Sequence, residues 1–138
     1  MSSTNFTGPL TIGSVTGIPE TDTRGFVSCI KIIQLSQATP RGNVTVPANS
    51  VAIRLGFVPT SAFTGDDPVS AMNITFTKGT EVMGVVTASA ATRHHQQTVV
   101  SAAIFDTAAV VSASLSALST TVFTGGGGRA FIEFLTRE

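Results

Sequence analysis

The sequence predicts an all-β fold, a single β-sandwich or jelly-roll-like domain of about eight strands with an extended N-terminal arm. Three observations predict it. Short β-branched segments with period-two alternation recur along the chain, separated by Gly, Pro and Asn clusters. No segment sustains the 3.6-residue period of a long amphipathic helix. A length of 138 residues, 42% hydrophobic, is enough for one domain with its own core.

Taken in order, residues 1–24 read as the arm. They are polar and carry Gly8-Pro9, Gly13, Gly17 and Pro19, with one short alternating piece, "PLTIGSV". Such arms are ordinarily ordered by lying on a neighbour. Residues 25–138 then read as the sandwich. "GFVSCIKIIQL" is β-branched with a single charge, and predicts a buried central strand. "QATPRGN" is turn chemistry. After "VPANS", the stretch "VAIRLGFV" alternates Val51, Ile53, Leu55 and Phe57 with Ala52, Arg54 and Gly56, as a half-buried strand does. "PTSAFTGDDP" reads as a loop. "MNITFTKG" places Met72, Ile74 and Phe76 on one face, and Lys78-Gly79-Thr80 turns the chain into the strand "EVMGVVTAS". "ATRHHQQ" reads as a loop or exposed edge, and "TVVSAAIF" as a strand. In "VSASLSALS" the strict alternation of Val111, Ala113 and Leu115 with Ser112, Ser114 and Ser116 favours a strand over a helix, since serine is a mediocre helix former. A last strand, Arg129 to Thr136, follows four glycines that read as a turn.

Composition narrows the function. Charged residues are 12%, about half the usual share, and 21 Thr with 14 Ser take their place. A surface of hydroxyls repels other copies weakly, which favours a protein packed against neighbours. Net charge is zero and the eight basic residues are spread singly, so the basic stripe that nucleic-acid binding needs is missing. The apolar runs fall short of the ~20 residues of a spanning helix, which argues against a membrane role. "MSSTNFTG" has neither the basic nor the apolar region of a signal peptide. Asn-x-Ser/Thr patterns at Asn5, Asn43 and Asn73 are then chance occurrences in a Thr-rich chain.

The candidate chemistries are thin. The run Gly125 to Gly128 invites a phosphate-loop reading, but that loop opens a helix and closes on Lys-Ser/Thr, whereas Arg129, Ala130 and Phe131 follow here. His94 and His95 are the only histidines, too few for zinc and set on opposite faces of any strand, so no metal is expected. Their other role is a pH-dependent contact at a subunit boundary. Serines abound without a Gly-x-Ser-x-Gly elbow. Asp66-Asp67 lacks the alternating ligands of a calcium loop. Cys29, the single cysteine, reads as a small buried hydrophobe. A lectin would present aromatic platforms, yet there is no Trp or Tyr, and the nine Phe fall mostly within strand patterns. The expectation is a protein that is not an enzyme and holds no cofactor.

Four stretches carry a resemblance: "NFTGPLTIGS", "VPANSVAIRLGFV", "ITFTKGTEVMGVV" and "TGGGGRAFIEFL". In their order the chain resembles the small β-sandwich proteins that decorate tailed-phage capsids, or related virion structural proteins. The resemblance implies a cement role on the capsid surface of the virion, after synthesis in the host cytoplasm. The partners would be the major capsid protein and further copies of the chain, as in a trimer. Phe6, Leu10, Ile12 and Ile18 would anchor the arm to the shell. His94, His95, Gly126 and Gly127 would lie at subunit contacts, the glycines admitting a neighbour's backbone where side chains would block it. Two other classes stay open: a receptor- or glycan-binding domain of a tail fibre or tail tip, and a small hydrolase using His94 or His95.

Overall fold

The computed structural model describes residues 25–65, 71–89, 94–117 and 123–137. Phe6, Leu10, Ile12 and Ile18 of the expected arm lie outside the described residues, as do Asp66 and Asp67. Nine strands are present among the described residues: β1 (Phe26–Ser36), β2 (Arg41–Val46), β3 (Ser50–Gly65), β4 (Ala71–Lys78), β5 (Glu81–Ser89), β6 (His95–Thr98), β7 (Ile104–Phe105), β8 (Ala109–Ala117) and β9 (Phe123–Arg137). They form two antiparallel sheets. The first has the order β1-β9-β3-β6, with the short β7 pairing the start of β3; the second has the order β2-β8-β4-β5.

These orders define a jelly roll. With β7 set aside, the pairs β4·β5, β3·β6, β2·β8 and β1·β9 nest inside one another, as in one long antiparallel hairpin. Rolling that hairpin brings β9 against β3 and β8 against β4, and both pairings are present. The core lies between the sheets. Leu55, Phe57, Ile132 and Phe134 enter from the first, and Met72, Ile74, Phe76, Met83 and Val111 from the second, all almost fully buried. Of the "VSASLSALS" stretch, Val111 to Ala117 is a strand as expected, with Val111, Ala113 and Leu115 inward; Leu118 and Ser119 lie outside the described residues. "MNITFTK" and "EVMGVVTAS" are strands too, joined at Gly79, which takes the φ of +63° that a tight turn requires.

Four expectations change. β1 is an edge strand rather than a central one: Ile33 and Leu35 are buried, but Phe26, Ile30 and Ile32 stay more than half exposed. In β3 the simple alternation breaks. A bulge at Ile53 shifts the register, so Val51 faces out and Ala52 in, while Leu55 and Phe57 keep their inward places. "TVVSAAIF" is not one strand, because residues 99–103 leave the ladder between β6 and β7. Finally, "PTSAFTG" and the glycine run are not a loop and a turn. They are the far half of β3 and the near half of β9, paired with each other through three register shifts.

A second bulge closes one side of the sandwich. Across the β4·β5 pair, Thr77 opposes Val82 and Phe76 opposes Gly84, leaving Met83 as the extra residue. Its carbonyl accepts from the amides of Val100 (3.0 Å) and Ser101 (3.2 Å), just past β6. The edge of the second sheet is thereby stitched to the edge of the first.

Candidate functional site

The outer faces of the two sheets differ in kind. On the second sheet the outward residues are Asn43, Ser112, Ser114, Thr75 and Asn73, brought into cross-strand rows by the register. Thr87 donates to the Asn73 side-chain oxygen at 2.9 Å within one such row. Arg41, Val85 and Val110 also lie outward, so this face is mostly small hydroxyl and amide groups.

The first sheet carries a groove of about 590 Å³ on its outer face, within the range of ligand or peptide sites. Three cross-strand rows build it. Ile32 pairs Phe131, which pairs Gly56, which pairs Gln96. One step along, Ile30 pairs Glu133, which pairs Arg54. On the other side, Arg129 pairs Val58, beside His94. Gly56 is required at its position because the Phe131 ring lies over it, where any Cβ would collide. This is the aromatic-over-glycine packing that protects a weak point in a sheet. His94 continues the layer, its ring 5.5 Å from that of Phe131 and tilted by 31°.

Two charged groups at the centre of the groove satisfy each other. Arg54 Nε donates to Glu133 Oε1 at 2.7 Å, and the Arg54 Nη2 pairs with the same oxygen. Ser28 Oγ donates to Glu133 Oε2 at 2.9 Å. The hydrogen bond from Arg54, then that from Ser28, holds the Glu133 carboxyl below the usual carboxylate range, against the opposing effect of burial. The pair is an internal clasp across β3 and β9, and its charges are already matched.

The expected site residues separate. His94 lines the groove, but His95 takes the other side, opposite Phe57 in the ladder and half-buried. The two histidines therefore do not converge. The glycines are filled from inside the chain: a Cβ on Gly126 would come within 2.6 Å of the Phe63 Cα and 2.8 Å of the Ala62 carbonyl, and Gly126 also has φ +109°. Gly127 faces the Leu35 carbonyl in the same way at 3.0 Å. The close approach is made by β3 and β1, so the run is accounted for without a neighbouring backbone. Cys29 is half-buried against the core. Among the described residues no three His, Cys, Asp or Glu side chains converge as metal ligands, and no helix is long and apolar enough to cross a membrane.

Sequence reasoning missed Ile30, Ile32, Arg54, Phe131 and Glu133. The signal was present as a run in β1 apolar on both faces, which burial on both sides explains equally well. No protein-family model matches the chain, and no curated protein matches it either.

Proposed function

We propose that this chain is a virion structural protein, a decoration subunit that binds the outside of a tailed-phage head and stabilises it by adding interfaces. The observation that carries the reading is the strand order, β1-β9-β3-β6 over β2-β8-β4-β5, a jelly roll, the architecture that viral capsid domains share with lectins and cupins. The low charge and the hydroxyl-rich outer face of the second sheet support it, because neither hinders crowding of identical copies. In this reading Phe6, Leu10, Ile12 and Ile18 anchor the arm on the major capsid protein, and the sandwich stands above the shell. Deleting residues 1–18 abolishes attachment to purified heads while the circular dichroism of the sandwich is kept. Normal occupancy of heads by the shortened chain overturns the arm's role, and a native particle in which the protein sits elsewhere than the head overturns the reading itself.

The groove bears on the glycan-binding alternative. A sugar site needs an aromatic face and free directional partners. Phe131 offers the face, but at the centre Arg54 and Glu133 bind each other and Ile30 and Ile32 offer no hydrogen bond, which leaves His94, Gln96 and Arg129 as the directional groups of the wall. Such a wall suits a protein surface better than a glycan.

A further inference from the structure

We infer that the outer face of the β1-β9-β3-β6 sheet is the surface on which a second copy of this chain packs. The inference deepens the decoration reading by naming the self-contact, and its test needs no phage head.

The first argument is the exposure of the face. Ile30 is 57% and Ile32 54% exposed on adjacent outward positions of β1, and Phe26 continues the line at 57%. Phe131 and Val58 extend the apolar surface across β9 and β3. Scattered apolar residues on a surface need no explanation, but a contiguous patch on one face does. The strand that carries it is open, since β1 pairs β9 alone among the described strands of its sheet. Natural sheets usually blunt such an edge with charge or proline. Lys31 supplies the one charge on this edge and lies on the opposite side of β1, so the outward residues from Phe26 to Ile32 include only one polar member, Ser28.

Charge is the second argument. The Arg54–Glu133 pair is closed within one copy, so bringing two such faces together leaves no unmatched charge at the centre. Burying a charge that is already paired and hydrogen-bonded avoids the large penalty of an isolated one. Arg129 is exposed at one end of the groove, at the rim, where water still reaches it.

Area is the third. Three strands, β1, β9 and β3, about 4.8 Å apart over the length from Phe26 to Ile32 at about 3.3 Å per residue, with the four residues of β6 beside them, make a face of roughly 400 Å². Two copies then bury about 800 Å² together, below the roughly 1,000 Å² of a stable interface and of the size of a transient one. The contact is therefore reversible and concentration-dependent in free solution. Tethering on a particle raises the effective concentration and makes the same contact persistent.

The test is light scattering on the full chain during size exclusion, over a concentration range of about 1–100 μM, where contacts of this size are expected to dissociate. The mass should rise from that of one copy, 14.2 kDa, toward that of two or more. Ile30→Asp with Ile32→Asp should hold it at one copy throughout, with unchanged circular dichroism and melting temperature. If that pair unfolds the chain, Ile30→Thr with Ile32→Thr keeps the β-branched shape and should show the same loss. Leu10→Asp with Ile12→Asp should leave association intact. Three results overturn the inference: a wild-type chain that stays at one-copy mass throughout, association that survives the Ile30/Ile32 changes, or association lost in the Leu10/Ile12 variant, which makes the arm the occupant. Binding to heads by a chain that never self-associates sinks this inference and leaves the decoration reading standing. Self-association without binding to heads does the reverse.

Discussion

The two sheets of this sandwich are alike on the inside and opposite on the outside. Both send apolar side chains into one core, Ile, Leu and Phe from the first and Val, Met, Ile and Phe from the second. Outside, the second sheet shows mostly hydroxyls and amides, with Val110 among them, while the first shows isoleucine, phenylalanine and a closed ion pair. Since burial inside accounts for stability on both, the difference outside is free to reflect what each face meets. A face of short polar groups is suited to water. A face with Ile30 and Ile32 exposed loses free energy in water, at about 25 cal/mol for each Å² of apolar surface left uncovered.

Substitutions probe this contrast at decreasing amplitude. On the inside the sheets should respond equally: Phe134→Ala and Phe76→Ala should each cost about 3–5 kcal/mol in urea unfolding. A large inequality would mean that the core does not join the sheets evenly. Gly126→Val should cost about 3 kcal/mol, because it meets the Phe63 backbone at a φ that valine resists. It should therefore lose the fold before any loss of assembly can be read. Gly56→Val should cost about 1–2 kcal/mol by pushing the Phe131 ring off its seat, and should abolish the self-association of the first sheet. On the second sheet, Ser114→Ala and Thr75→Val should stay within about 0.5 kcal/mol of wild type and leave assembly unchanged.

Acid sharpens the same contrast. The carboxyl of Glu133 is held below its ordinary range, so its stabilising contribution is complete above the unfolded-state value, about 4.3 for Glu, and is lost as pH falls through the lowered folded-state value. Melting temperatures of wild type and Glu133→Gln should differ at neutral pH and converge below about pH 4. A constant gap across that window would show that the clasp does not act through the charge of Glu133.

Where one face of a strand was apolar and the other polar, the sequence was readable. β4 and β8 each alternate with period two, and each lies where alternation puts it. Reading failed at strands apolar on both faces and at bulges. β1 has hydrophobic residues on both sides, and a continuous apolar run cannot distinguish burial by a second layer from exposure awaiting one. The bulge at Ile53 is invisible locally, because nothing in "VAIRLG" marks an extra residue until the partner strand sets the register. The glycine run and "PTSAFTG" each carry turn composition, and only their mutual pairing makes them strands. The groove was hidden for a related reason: its rows join residues about a hundred positions apart, as Ser28 and Glu133 show at a separation of 105.

That separation has a consequence for the order of events in synthesis. Contacts between distant parts of a chain form late and slowly. A nascent chain has β4 and β5 as a local hairpin early, but β1 cannot find its place until β9 has left the ribosome. The apolar face therefore does not exist as a surface before β9 is made, because Phe131 and Glu133 belong to that strand. Fragments and stalled products would carry Ile30 and Ile32 without the flat seat beside them. Copies would be joined only after β9 has settled between β1 and β3, so the topology would tie assembly to the pairing of these distant strands.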